Sequence, residues 1–192
     1  MLGRVHRCGV LLFAWLSFPL QGCVGPEAPA PELAGEAAPV PAAAASPSGW
    51  PVGAIRGRVV RVFDGDSFLF DRRSGRLEVR VFGIDAPEKE QPWAGRARSR
   101  ARTLLEGREV LLDVRTERDR YGRTIADVYL VDGRNYAHVL VGEGLAWHYR
   151  RYSDEAEVAA LMEEARRAGR GLWQQRDPEP PWEFRRRNRS RR

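Results

Sequence analysis

Cysteine is almost absent from this chain. Only Cys8 and Cys23 occur, both in the opening segment, so everything after it lacks a disulfide and must hold together by its own core. Histidine is nearly as scarce, with only His138 and His148 beyond His6. Without thiolates beside them, these two argue against a zinc site. The apolar run from Cys8 to Leu20 is shorter than the ~20 residues a permanent membrane helix needs. No internal repeat is present. Charge is uninformative as a total: the chain carries +6, and six arginines stand between Arg185 and Arg192, so the remainder is balanced. Placement of arginines, not their sum, has to identify any nucleic-acid partner.

The opening segment reads as an address. Arg4, His6 and Arg7 give a positive start, the apolar run follows, and Leu20-Gln21-Gly22-Cys23 ends it in the manner of a lipobox. Residues 1–22 are therefore expected to be a lipoprotein signal peptide and Cys23 the acylated residue. That makes the protein secreted across the cytoplasmic membrane and anchored there by lipid. An ordinary cleaved signal or a short uncleaved anchor is the alternative. Val24, rather than Asp, follows Cys23, which favours outer-membrane sorting if the source is a didermic bacterium. Residues 24–50 are rich in Ala, Pro, Gly and Ser and too poor in large apolar residues to offset chain entropy. With Cys23 they form an expected disordered tether over 23–50.

From Ile55 the pattern turns β-like. Val59, Val60, Val62 and Phe63 lead into Asp64-Gly65-Asp66, a turn signal. Phe68 to Phe70 follow, and Leu77, Val79 and Val81 alternate with Glu78, Arg80 and Phe82 as in a strand with one buried face. Pro92 suits a helix's first turn, with Ala94, Ala97, Ala101 and Leu105 on one side, several arginines on the other, and Gly107 ending it. Two further strands run around Val110–Val114 and Ile125–Val131. A short helix is expected over Asn135–Glu143, and a last one opening on an Asp154/Glu157 capping box. Five short strands with a helix after the third predict an α+β domain over 51–178: a five-stranded OB-fold barrel with about three helices. Pro178, Pro180 and Pro181 are expected to end regular structure. Residues 179–192 then form a Pro/Trp segment, with Trp182 and Phe184 pinned to the domain, and a flexible arginine tail.

The chemistry-bearing residues cluster at strand ends. Asp66 follows the first turn and Asp85 follows the third strand, so neighbouring barrel strands can bring both carboxylates to one ion. Pro87 stiffens Asp85-Ala86-Pro87-Glu88 and holds two acids three residues apart. Oxygen ligands alone suit Ca²⁺, with Mg²⁺ or Mn²⁺ as second choices. Taken singly, Asp66 reads as a turn residue, Arg80 as a solvent-facing strand residue, and Arg120-Tyr121-Gly122-Arg123 as a polar hairpin.

Taken as a set, D-G-D, then Arg80, then I-D-x-P-E, then D-R-Y-G-R resembles the staphylococcal-type nuclease (thermonuclease) family, and the likeness runs over 55–176. It implies an OB-fold core and Ca²⁺-dependent hydrolysis of DNA and RNA by an endonuclease that leaves 3′-phosphate ends. By the same likeness Asp66, Asp85 and the main-chain carbonyl of Ala86 hold the cation, with Asp64 outside them through water. Ala86 stands where the family often has Thr, which keeps the carbonyl and loses a hydroxyl. Arg80 and Arg123 face phosphate oxygens and Glu88 the attacking water. Arg120, Tyr121 and Tyr152 are implied nucleotide contacts, with core or rim packing the plain alternative for the aromatics. Single-stranded or denatured DNA and RNA are the implied partners, and a monomer is expected. The rival reading is a non-catalytic OB-fold lipoprotein that binds oligonucleotides.

Overall fold

A computed structural model describes residue 51 and residues 53–190. The expected signal, Cys23, the 24–50 tether and the last two arginines lie outside the described residues. Five strands close into a barrel: β1 (Ile55–Val62), β2 (Ser67–Arg72), β3 (Gly75–Val81), β5 (Glu109–Thr116) and β6 (Thr124–Leu130), in the spatial order β1-β2-β3-β6-β5. All neighbours are antiparallel except β3 and β6. The alternation read from sequence is the cause. Val59, Val62, Phe68, Phe70, Val79, Val81, Val110, Leu112, Ala126 and Val128 all turn inward and are buried, so closing the sheet gives every strand one dry face. This is the expected α+β, five-stranded OB-like barrel.

The helices cover the barrel and carry the site's supports. In α1 (Ala94–Leu105) the buried Ala97, Ala101 and Leu105 line one side, as their spacing requires. Helix α2 (Tyr136–Gly142) is buried along most of its length and is capped by Asn135, whose side chain accepts the Ala137 N–H at 2.8 Å. Helix α3 (Ala156–Arg167) buries Val158, Met162 and Ala165. A two-residue ribbon, absent from the sequence reading, pairs β4 (Ile84–Asp85) with β7 (Trp147–His148). Gly144 and Gly171, the latter opening a 3₁₀ turn at Gly171–Gln174, both have positive φ. A Cβ on either would stand 2.2 Å from the other segment's backbone, so only glycine lets the two chains cross. Leu172 and Trp173 tuck into the core there.

Three expectations fail in detail. Proline does not end regular structure near 180: Pro181 opens α4 (Pro181–Arg189), a fourth helix among the described residues. Proline at the first helical position forfeits no hydrogen bond, and Glu183 in the first turn with Arg186, Arg187 and Arg189 in the last complement the helix dipole. The Asp154/Glu157 capping box does not form. Helix α3 follows Glu155, whose N–H is bonded by Ser153 Oγ at 3.3 Å, and Glu157 pairs with His138 instead. Pro92 lies ahead of α1, which starts beyond a left-handed Trp93 (φ 72°). The Arg96 guanidinium, 4.4 Å over the Trp93 ring, helps hold that turn.

Candidate active site

The β1–β2 turn is built to deliver Asp66 inward. Asp64 Oδ1 accepts the Asp66 N–H at 3.0 Å, a local turn that fixes the backbone, and the Asp66 carbonyl accepts the Val81 N–H at 2.9 Å. Gly65 presses against two neighbours. A Cβ there would sit 2.7 Å from the Ala86 Cβ and 3.1 Å from the Ala97 Cβ, so any side chain would pry the turn away from the loop after β4 and from α1. Tyr136, wholly buried at the start of α2, donates its hydroxyl to the Gly65 carbonyl at 2.7 Å. Burial pushes that phenol well above its ordinary pKa, with Asp64 and Glu143 adding, so it remains a donor. A buried carbonyl satisfied this way avoids a penalty of about 1–3 kcal/mol. Nothing in the spacing of α2 alone marked Tyr136 as a support of the site.

Arg80 ties the two aspartates together. It sits mid-strand in β3, opposite Ser67, yet faces the cleft rather than solvent, its side chain 13% exposed. Nη1 pairs with Asp66 Oδ1. Nη2 donates to Asp85 Oδ1 at 2.7 Å and to the Ile84 carbonyl at 3.0 Å. Asp85 is buried, positioned by the β4–β7 pairing. The Ala86 N–H donates to Asp66 Oδ2, stitching the two acid-bearing segments by backbone as well. Burial lowers the Arg80 pKa below its ordinary value; Asp85 and Asp64 oppose that shift, and the charges of Arg123 and Arg185 reinforce it. Even so, it stays charged.

A third arginine, in the segment expected to be a flexible tail, enters from α4. Arg185 Nη2 donates to Asp85 Oδ2 at 2.7 Å. Its Nη1 donates to Glu88 Oε1 at 2.6 Å and to Asp85 Oδ1 at 3.2 Å. Burial works against its charge, but Asp85 first and then Glu88 outweigh it and raise its pKa. Glu88 itself is steadied from behind. Its N–H donates to Gln91 Oε1 at 2.9 Å, and Gln91 Nε2 donates to the Glu179 carbonyl at 2.8 Å.

Arg123 stands just before β6, close enough for its charge to lower the Arg80 pKa. Asp119 grips it, accepting from Nη2 at 2.8 Å and Nε at 3.1 Å, while Asp119 Oδ1 also takes the N–H groups of Tyr121 and Arg123. Burial pushes the Asp119 carboxyl up, but those donors outweigh it and hold it below the ordinary carboxylate range. Arg120 and Arg123 flank the Tyr121 ring at 4.7 and 5.2 Å, and Tyr121 is 66% exposed. Tyr152 is also exposed. It meets Tyr149 edge-on at 5.0 Å, and Tyr149 stacks flat on Trp182 of α4, also at 5.0 Å.

The fold thus brings Asp66, Arg80, Asp85, Ala86 and Glu88 into one cluster, with Arg123 near enough to act on Arg80 by charge. Arg120, Tyr121 and Tyr152 are exposed; Arg120 and Tyr121 neighbour Arg123, whereas Tyr152 packs against Tyr149. Among the described residues no three acidic, histidine or cysteine side chains form a ready-made metal cage. A single guanidinium bridges Asp66 and Asp85, so the two carboxylates share one positive charge. Two carboxylates, backbone oxygen and water fit Ca²⁺, which takes six to eight oxygens from flexible sources.

The staphylococcal nuclease homologue family matches residues 78–175, beginning within β3. A protein of Escherichia coli O157:H7 described as an uncharacterized endonuclease is 41% identical over 141 residues, covering 72% of this chain and 91% of its own. A micrococcal nuclease of Shigella flexneri is 38% identical over 144 residues, covering 69% and 81% respectively. Staphylococcal-like nuclease CAN1 of Arabidopsis thaliana is 40% identical over 114 residues, 59% of this chain and 35% of that longer protein. With a closed five-stranded barrel beneath these likenesses, the chain belongs to the staphylococcal nuclease homologue family.

Proposed function

We propose that this protein is a Ca²⁺-dependent endonuclease that hydrolyses single-stranded or denatured DNA and RNA. The observation that carries the reading is the Asp66–Arg80–Asp85 cluster, with Glu88 beside it and Arg123 at its edge. Ca²⁺ held by Asp66, Asp85 and the Ala86 carbonyl would supply fixed positive charge opposite the scissile phosphate. Glu88 takes a proton from the attacking water as its oxygen bonds to phosphorus. The bond from phosphorus to the 5′ oxygen breaks, leaving a 3′-phosphate and, once protonated, a 5′-hydroxyl. Arg80 and Arg123 donate to the equatorial oxygens, where charge concentrates. Arg120, Tyr121 and Tyr152 offer stacking and charge to flanking nucleotides, a sequence-tolerant mode worth roughly 1–3 kcal/mol per stacked base.

The test compares Ca²⁺ with EDTA on single-stranded DNA and on RNA, reading the product ends. Cleavage with Ca²⁺, its loss in EDTA, and 3′-phosphate termini are expected. Binding that persists in EDTA, with no cleavage under any divalent cation, would instead mean an oligonucleotide-binding module.

We further propose that Cys23 carries lipid and that the barrel works outside the cytoplasm on the 24–50 tether, in the outer membrane if the source has one. The motif Leu20-Gln21-Gly22-Cys23 supports this. Among the described residues no helix is long and apolar enough to cross a membrane. Expressed in a bacterial host, the chain is expected to incorporate labelled palmitate and to sediment with membranes. Cys23→Ser should abolish the label. Undiminished labelling of that variant would refute the assignment.

A further inference from the structure

We propose that Arg185 is an internal stand-in for the cation. Helix α4 docks its guanidinium on Asp85 and Glu88, and cation loading at Asp85 drives it off. The inference rests on the reading of Asp85 as a cation ligand.

Charge and occupancy carry it. Asp85 is 1% exposed at its side chain, and both of its oxygens are taken by guanidinium groups. Oδ1 meets Arg80 Nη2 and Arg185 Nη1, and Oδ2 meets Arg185 Nη2. A Ca²⁺ bound to this carboxylate would lie about 2.3–2.6 Å from an oxygen. Arg185 meets both oxygens of this carboxylate, so guanidinium and cation compete for one acceptor. Arg80 cannot leave as readily, since β3 holds it beneath the aspartates and the Ile84 carbonyl pins it. Arg185 can, because its side chain is 35% exposed. The same guanidinium also engages Glu88 Oε1, so its departure would free that oxygen for water.

The helix is placed for this task. Trp182, one turn before Arg185, stacks on Tyr149 and meets Trp147 edge-on at 5.7 Å, so it aims the arginine at the cleft. Gln91 joins the loop carrying Glu88 to the Glu179 carbonyl just ahead of α4. Docking of α4 and loading of the cation are thus linked through one carboxylate, and linkage is reciprocal: whatever loosens α4 must tighten cation binding.

Calorimetric titration with Ca²⁺ and amide hydrogen exchange, on the purified protein and on Arg185→Gln, test the proposal together. Arg185→Gln is expected to bind Ca²⁺ about fivefold more tightly or better, a modest factor because the pair is partly exposed. In the unsubstituted protein, Ca²⁺ should speed exchange across 181–189; in Arg185→Gln that segment should already exchange fast and ignore Ca²⁺. Trp182→Ala, which keeps the arginine but loosens its aim, should shift affinity in the same direction. Equal or weaker Ca²⁺ affinity in Arg185→Gln, or an α4 whose exchange does not respond to Ca²⁺ in the unsubstituted protein, overturns the proposal. If neither protein binds Ca²⁺, the cation reading of Asp85 itself fails, a result distinct from equal binding by both.

Discussion

Arg80→Ala is expected to lower turnover at saturating Ca²⁺ by at least about 10²-fold, the usual loss for one preorganised donor to transition-state charge, and also to weaken the fold. The second effect follows from position. Arg80 lies between the buried Asp66 and Asp85 and is the only guanidinium contacting Asp66 among the described residues. Breaking a buried pair by removing one partner costs about 3–5 kcal/mol in general. Here Arg185 still covers Asp85, so a loss of about 2–3 kcal/mol is expected. Ca²⁺ would restore part of it, because a dication between the two aspartates replaces the missing charge. Urea unfolding of the variant in EDTA and in Ca²⁺ measures the stability effect, and single-turnover cleavage measures the catalytic one. Asp66→Ala should behave differently, raising the Ca²⁺ needed for half-maximal cleavage before it lowers the maximum. A variant lacking Arg80 that cleaves at full rate would remove the arginine from the mechanism and reduce it to a strut.

Much of this was legible in the sequence because the barrel is locally consistent. Val79 and Val81 bury on the face opposite Glu78, and the period-two pattern fixes which way each side chain points. Asp66 and Asp85 could be grouped because neighbouring barrel strands can bring such ends together, and Arg80 joined them through the family resemblance. Arg185 could not. Its nearest partner in sequence, Glu88, is 97 residues away, and nothing in a run of arginines after three prolines says which one turns inward. Trp182 was the available signal. An apolar ring in so charged a segment has to find cover, and its stack on Tyr149 sets the direction of the residue one turn later. Tyr136 was hidden for another reason. A tyrosine at the head of a short helix reads as ordinary core, and its bond to Gly65 crosses 71 residues. The failed capping box shows the limit of local patterns. His138 gave Glu157 a better partner on α2, and Ser153 took the turn.

Arg123→Ala is expected to lower kcat by at least about 10²-fold while leaving stability within about 1 kcal/mol. The contrast with Arg80 lies in what is left behind. Asp119 loses two donors from the side chain but keeps the N–H groups of Tyr121 and Arg123, so the carboxylate is not stranded and the turn persists. Gly122, with φ 85°, continues to supply the left-handed residue that the hairpin needs. The guanidinium itself is a quarter exposed, open enough to reach a phosphate and held tightly enough by Asp119 to be preorganised. Arg123→Lys should recover little, since an ammonium lacks the paired donors that match two phosphate oxygens. Steady-state kinetics on a short single-stranded substrate, with thermal unfolding alongside, separate the cases. If the loss fell in KM alone with kcat intact, Arg123 would bind ground state and transition state equally. It would then belong with Arg120 and Tyr121 on the rim, and the charge on the reacting phosphate would fall to Arg80 and the cation.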